Sequence, residues 1–203
     1  MANAMPEKPH SPACERNREP ILAVLREHFA ARRQVLEIGS GTGQHAVFFA
    51  AAMPWLQWQA SDRAEYLPGT RAWLDDARLP NTPAPLELDV LAAWPALDVD
   101  AVFSANTLHI MGWDGVQALF EGVGKLLADS GDTLIVYGPF NYGGAYTSDS
   151  NRQFDAWLKA RDPRSGIRDF EAVDALAEAA GLRLLADIEM PANNRCLVWR
   201  AGA

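Results

Sequence analysis

VLEIGSGTGQHAVFFA, residues Val35–Ala50, decides how the rest of the chain is read. A short apolar run carries the acid Glu37 and ends at Ile38. Three glycines follow at alternate positions, Gly39, Gly41 and Gly43, and then an apolar, alanine-rich run begins. Glycine has no Cβ, so it lets a backbone turn sharply and approach a ligand closely. A helix that starts at such a turn presents its first amides to that ligand. The stretch therefore reads as strand, loop and helix, with a binding site at the loop.

The flanking sequence continues the alternation. NREPILAVLREHFAAR (17–32) predicts a helix, with Pro20 in its first turn and Ile21, Leu22, Leu25 and Phe29 on one face. LQWQAS (56–61), PLELDV (85–90), DVDAVFSAN (98–106) and DTLIVYGPF (132–140) read as strands. EYLPGTRAWLDDA (65–77) and GWDGVQALFEGVGKLLADSG (112–131) read as helices, the second closed by Gly131. The polar segment that follows holds a short helix, for which Ser150 and Gln153 have capping-box spacing. RDFEAVDALAEAAG (168–181) predicts a last helix, capped by Asp169 and Gly181. LRLLADIEM and NRCLVWR are strands separated only by Pro191–Asn193, too short a link for a parallel crossover, so the last strand runs antiparallel. The fold class is α/β: a Rossmann-like three-layer α/β/α sandwich on a seven-stranded, mostly parallel sheet with an antiparallel last strand.

The chain has 203 residues, which fits one domain. Residues 1–10 hold two prolines and little to bury, so they are expected to be flexible or loosely held. Residues 11–203 form the domain, with a substrate-side insertion at 141–166. The net charge of −8 argues against a nucleic-acid partner, which calls for a basic stripe. The two cysteines, Cys14 and Cys196, make no disulfide framework, and no apolar signal core or membrane-length run appears. A cytoplasmic location and no membrane partner are expected, with no metal, because no ligand cluster is visible. The oligomeric state is not written in the sequence.

Two ligand classes use such a glycine loop. The dinucleotide fingerprint G-x-G-x-x-G needs a third glycine where this chain has Gln44. The spacing here is G-x-G-x-G, with Glu37 two residues upstream of Gly39. That spacing resembles the S-adenosylmethionine loop of class I methyltransferases. Gly39, Ser40, Gly41 and Gly43 are then the cofactor cradle. Asp62 ends the second strand, where a carboxylate can accept both ribose hydroxyls. Asp89 ends the third strand in LELDV; in the resembled superfamily this position, beside Val90, faces the adenine edge.

The likeness extends further. SPACERNREPIL (11–22), VLEIGSGTGQHA, NTLHI (106–110), YGPF (137–140), TSDSN (147–151), FDAWLKARDP (154–163), GIRDFE (166–171) and MPANN (190–194) together resemble an uncharacterised methyltransferase family, domain of unknown function 938. The resemblance covers residues 11–200 and implies the fold and S-adenosylmethionine, with S-adenosylhomocysteine as product. It implies no substrate.

In open α/β sheets the ligand lies beyond the carboxyl ends of the strands. Asn106, Thr107 and His109 follow the fourth strand, Phe140 and the insertion follow the fifth, and the turn with Asn193 and Asn194 follows the sixth, so all share one rim. Asn106 is a candidate for the methionine end of the cofactor. Arg16 and Asn17, at the start of the first helix, are candidates for its carboxylate, which an Arg fork matches. His109 is the general-base candidate, because its ordinary pKa is near working pH. Tyr137 is a second catalytic candidate, and Phe140, Tyr142, Asn193 and Asn194, with His109, are candidate acceptor contacts.

These residues support an S-adenosylmethionine-dependent methyltransferase acting on a small molecule or peptide. SANTLHI lacks the Asn/Asp-Pro-Pro-Tyr/Phe signature of base methylation. The alternatives are an NAD(P)-dependent oxidoreductase on a related sheet and a non-catalytic cofactor-binding scaffold. Gln44 and the reversed last strand weigh against the first. The joint presence of Glu37, three glycines, Asp62 and Asp89 weighs against the second.

Overall fold

The computed structural model describes residues 8–127 and 131–202. The main sheet contains β1 (Gln34–Ile38), β2 (Gln57–Asp62), β3 (Leu86–Glu87), β4 (Ala101–Ala105), β5 (Thr133–Gly138), β8 (Leu182–Met190) and β9 (Asn194–Ala201). A separate pair, β6 (Phe140–Asn141) and β7 (Arg168–Asp169), lies outside it. The helices are α1 (Pro12–His28), α2 (Gln44–Ala52), α3 (Leu67–Ala77), α4 (Trp113–Leu126), α5 (Asp149–Arg161) and α6 (Phe170–Ala179).

Strand order is β3-β2-β1-β4-β5-β9-β8. All pairs from β3 to β5 are parallel, and β9 is antiparallel to both β5 and β8. The chain moves outward from β1 to β3, then returns to the other side of β1 for β4. The order reverses between β1 and β4, so the ligand crevice belongs at their carboxyl ends. Side chains alternate along the strands and supply two cores. Val35, Phe103, Ile135, Tyr137 and Val198 pack with Ile21 and Leu25 of α1, Phe49 of α2 and Leu74 of α3. Leu36, Val102, Leu134, Val136 and Trp199 pack with Val116, Leu119 and Phe120 of α4 and Val173 of α6. Helices thus cover both faces, and the expected three-layer sandwich is the fold.

Several boundaries differ from expectation. The first helix starts at Pro12, so Pro20 lies inside it and cannot donate to the Arg16 carbonyl one turn back. The third strand is only Leu86–Glu87, so Asp89 sits past its end. Helix α4 stops at Leu126. Gly131 does not close it; its amide bonds Ala201 O at 3.3 Å instead. Residues 128–130 of that predicted helix lie outside the described residues. The cap of α5 is Ser148, whose Oγ accepts from Asn151 N at 3.1 Å, so the Ser150–Gln153 box is not used. Asp169 stands at the start of α6 but makes no side-chain cap bond.

The N-terminal segment is better held than its composition suggested. The Trp73 indole donates to Pro9 O at 2.7 Å, Lys8 pairs with Asp76, and a Cβ on Gly69 would lie 2.6 Å from Pro9 Cγ. Residues 8–10 therefore lie along α3 rather than loose. The rest of the expected flexible stretch, residues 1–7, lies outside the described residues.

The insertion is a closed unit. β6 and β7 pair in parallel across its base, Phe140 with Arg168 and Asn141 with Asp169. Inside it, Asp155 is 2% exposed. Its carboxylate accepts from Tyr146 Oη at 2.6 Å, Lys159 Nζ at 2.7 Å and Ile167 N at 2.8 Å. Burial opposes its charge, but these donors outweigh it and hold its pKa below the usual value. A depressed pKa contributes stability that is present above the unfolded value, near 3.8, and lost as pH falls through the folded one. Asp155→Asn, which cannot accept from all three donors, is expected to cost about 2 kcal/mol. Limited proteolysis within 141–166 should accelerate at neutral pH, with cofactor affinity unchanged within two-fold.

Candidate functional site

The glycine loop leaves β1 in left-handed geometry. Gly39, Gly41 and Gly43 have φ of +76°, +54° and +88°. A Cβ at Gly39 would lie 2.6 Å from Thr107 Oγ1 of the β4–α4 loop, and one at Gly43 would lie 3.0 Å from the Thr70 backbone of α3. The loop is therefore wedged between the two elements that follow β4 and β2. Four of its five amides are already engaged, and so is the first amide of α2. Gly39 N and Ser40 N both donate to Ser61 O at 3.0 Å. Gly41 N donates to Asp62 Oδ2 at 2.7 Å, Gly43 N to Ser40 O at 2.9 Å, and Gln44 N to Thr42 Oγ1 at 3.3 Å. The Ser40 hydroxyl accepts from Ser61 N at 3.1 Å, so this side chain fastens the loop to β2.

Gln44 has a task of its own. Its Oε1 accepts from Ser11 N, just ahead of α1, and from Thr42 Oγ1. The residue that replaces a third glycine thus ties the N-terminal segment to the loop.

Glu37 is buried beneath it at 2% exposure, with Trp58 Nε1 donating to its Oε2 at 2.9 Å. Burial pushes its pKa up to about 7; hydrogen bonds from Trp58 and Ser40 pull down, and the Asp62 charge pushes up. A raised carboxyl pKa means stability is full below the unfolded value, 4.5, and is lost as pH rises through about 7. The loss amounts to about 3 kcal/mol at 1.36 kcal/mol per unit. Glu37→Gln keeps an acceptor for Trp58 without the charge. Its thermal midpoint should exceed the parent's at pH 8, with the gap narrowing toward pH 5.

Asp62 stands at the end of β2, with its oxygens on Gly41 N and on Arg63 N at 2.8 Å. Burial pushes its pKa up, against those two amide bonds. Each oxygen keeps a further lone pair for a ligand hydroxyl. Asp89 is exposed, and its Oδ1 accepts from Leu91 N at 3.0 Å, so it shapes the turn after β3. Val90 is half-buried and its carbonyl accepts from Trp94 Nε1 at 3.2 Å.

From α1, Asn17 enters the core and its Oδ1 lies 2.7 Å from His45 Nε2 of α2. Asn17 therefore clasps α1 to α2 through its amide oxygen, while its Nδ2 is the group that could donate to a carboxylate. Burial lowers His45 to a pKa of about 4, which fits a neutral ring in that clasp. Burial raises Tyr137, so this phenol stays protonated at neutral pH and can donate but not act as a base. Arg16, the residue before Asn17 on α1, is exposed, and among the described residues no hydrogen bond or ion pair engages it.

The rim after β4 begins with Asn106 at φ +56°, a left-handed residue whose amide bonds Tyr137 O at 2.8 Å. A non-glycine residue in that region is uncommon and gathers at functional sites. His109 is 5% exposed, edge-on to Phe154 of α5 at 5.3 Å. Burial, with the Arg168 charge second, lowers its pKa to about 4. It is a neutral imidazole at neutral pH, able to accept a proton but weakly basic. Arg168 itself was not singled out from the sequence. Its guanidinium donates to Leu108 O at 3.1 Å, to Arg164 O at 2.9 Å and to Met111 O, which fixes the loop bearing His109. Only its place in GIRDFE hinted at this.

Three acceptor candidates turn out otherwise. Phe140 is 1% exposed and belongs to the α4–α6 core. Tyr142 donates to Asp187 Oδ2 of β8 at 2.9 Å and stacks on Phe170, which removes its hydroxyl from the rim. Asn194 donates to Pro191 O and Ala192 O and closes its own turn. Asn193, at φ +57°, accepts from Asn151 Nδ2 of α5 at 3.1 Å through its carbonyl and donates to Ser150 Oγ at 3.2 Å. The β8–β9 turn is thereby docked on the insertion. Among the described residues no group of three or more His, Cys, Asp or Glu could hold a metal ion, and no helix is long and apolar enough to cross a membrane.

Residues 8–201 match the family described as "Protein of unknown function (DUF938)". The chain belongs to the DUF938 family. Among solved structures, this DUF938 chain is similar to an O-methyltransferase family protein from Burkholderia thailandensis, at 16% identity and a TM-score of 0.80 over 91% of this chain and 56% of that one. The S-adenosylmethionine-dependent methyltransferase SibL aligns at 19% identity and a TM-score of 0.79, over 94% and 56%. Human N-acetylserotonin methyltransferase, solved in complex with SAM, aligns at 15% identity and a TM-score of 0.72, over 94% and 58%. The DUF938 chain thus spans a little over half the length of these proteins and shares with them a Rossmann-like α/β fold.

Proposed function

We propose that this chain is a methyltransferase that uses S-adenosylmethionine and releases S-adenosylhomocysteine, with a small molecule or peptide as acceptor. The observation that carries the reading is the state of the glycine loop. Five successive-turn amides, on Gly39, Ser40, Gly41, Gly43 and Gln44, already have acceptors within the protein. The carboxyl groups of Glu37 and Asp62 flank them. A pyrophosphate needs free amides and repels carboxylates, so a nicotinamide dinucleotide fits this loop poorly. S-adenosylmethionine has no phosphate, offers hydroxyls and an ammonium, and fits the donor set.

Bound there, the cofactor would supply the electrophilic methyl group. This chain's residues bind and orient around it. Asp62 takes ribose hydroxyls, Asp89 and Val90 border the adenine, Asn106 meets the methionine end, and Arg16 is the free fork for its carboxylate. His109 can receive the acceptor's proton if one must leave, as a weak base with a pKa of about 4. Catalysis otherwise rests on positioning. The net charge of −8 favours a neutral or cationic acceptor over a nucleic acid. Two thiols with no disulfide, Cys14 and Cys196, suit a reducing cytoplasm.

Calorimetric titration tests the reading. S-adenosylmethionine and S-adenosylhomocysteine should bind, and NADH should not. Binding of NADH alone would replace this reading with the oxidoreductase. Binding of S-adenosylmethionine with no S-adenosylhomocysteine release across a metabolite library would favour the scaffold.

A further inference from the structure

Just past β5 the chain leaves one buried polar atom with nothing to bond. Asn141 is 9% exposed, and its Oδ1 has no hydrogen-bond partner among the described residues. A buried amide oxygen without a partner is costly, because it gives up its hydrogen bonds to water and receives none in return. Such groups are rare in native proteins and call for an explanation in function.

Its position supplies one. Phe140 and Tyr142, on either side, both pack with the α4–α6 core. Alternation along an extended chain therefore turns Asn141 to the opposite face, the one that Ile135 and Tyr137 share with α1. The residue lies three positions beyond Gly138, where a Cβ would come 3.7 Å from His109 Nδ1. His109, 5% exposed and edge-on to Phe154, makes no ring hydrogen bond among the described residues. Asn141 on one face of the chain leaving β5, and His109 beside Gly138 on the other, thus flank the carboxyl ends of β4 and β5, beside the strand that carries the glycine loop.

We propose that Asn141 is a binding residue for the methyl acceptor, its amide oxygen receiving a hydrogen bond from an O–H or N–H of that molecule. The inference rests on the methyltransferase reading and narrows its substrate class. An acceptor that brings a hydroxyl or amine donor satisfies the oxygen. One that meets the site only with carboxylate oxygens leaves it unsatisfied and adds repulsion.

Asn141→Leu removes the oxygen at nearly constant volume, and three measurements read the result. Thermal melting should give a higher midpoint than the parent, because an orphaned polar atom has gone; a lower midpoint means the oxygen has a partner inside the chain and overturns the proposal. Calorimetry should give an S-adenosylmethionine affinity within two-fold of the parent; a ten-fold loss assigns Asn141 to the cofactor and overturns it too. Tritiated methyl transfer to a panel of phenols, primary amines and carboxylic acids should label phenols or amines in the parent, with KM raised at least ten-fold in the variant. An unchanged KM, parent activity on carboxylic acids alone, or none on the whole panel overturns the assignment. A parent protein that fails to bind S-adenosylmethionine sinks the methyltransferase reading itself, so the two failures are told apart.

Discussion

Replacing Gly43 by alanine is expected to abolish measurable S-adenosylmethionine binding and to cost about 3 kcal/mol of stability. Two independent penalties combine there. The residue has φ +88°, which an L side chain adopts only with strain. The added methyl would also lie 3.0 Å from both Cα and O of Thr70, and these are backbone atoms inside α3 that cannot swing aside. The cost falls on function because Thr70 Oγ1 donates to Gly41 O at 2.8 Å, so displacing α3 releases the loop at its centre. Gly41→Ala provides the contrast. Its φ is +54°, but a Cβ would meet nothing within 4 Å, so about 1 kcal/mol of backbone strain is all that should appear. Chemical denaturation and calorimetry on the two variants check this; equal losses would show that strain alone, not the α3 contact, sets the penalty.

Asp62→Asn should weaken S-adenosylmethionine binding by about 100-fold while leaving the thermal midpoint nearly unchanged at pH 7. Burial pushes the Asp62 carboxyl above its usual pKa, so its charge does not favour folding. Its value is local. Oδ2 accepts from Gly41 N, and an asparagine amide turned the wrong way would set two donors against each other there. In the proposed binding mode the ribose hydroxyls would also lose one of two charged acceptor oxygens. Calorimetry paired with thermal melts separates the two effects. Retained affinity would mean that Asp62 holds only the loop, and a midpoint drop larger than the affinity loss would mean that the carboxylate is structural.

The sheet was readable because its strands are apolar runs of ordinary length and the Pro191–Asn193 link is too short to cross over. The glycine loop was readable because left-handed backbone demands glycine, and all three positions use it. Boundaries that depended on side-chain capping were harder. Ser148, Ser150 and Asp149 are adjacent and all cap helices, and only the position of Asn151 selects Ser148. Pro20 marked a helix start by its fixed φ, yet Pro12 marks one equally well and wins. The rim was legible as a neighbourhood but not by orientation. Topology brings Phe140, Asn141 and Tyr142 to one place, while the alternation that sends the first and third into the core depends on how Pro139 carries the strand onward. Arg168 was invisible for a different reason. It acts on carbonyl oxygens, two of them 60 and 57 residues earlier, and carbonyls leave no mark in a sequence.

The two edges of the main sheet carry a consequence for handling the protein at high concentration. An open edge is a row of unpaired amides and carbonyls that invites another chain to add a strand. On one side β3 offers only two residues. On the other, β8 runs for nine, but its register with β9 slips between Leu184 and Ala186, and Leu185 is extruded at 49% exposure. A bulge of this kind bends and twists a strand, so no long flat template is presented. Arg183 and Glu189, both exposed, add charges of opposite sign along the same edge. The irregular strand is therefore a guard against edge-to-edge self-association.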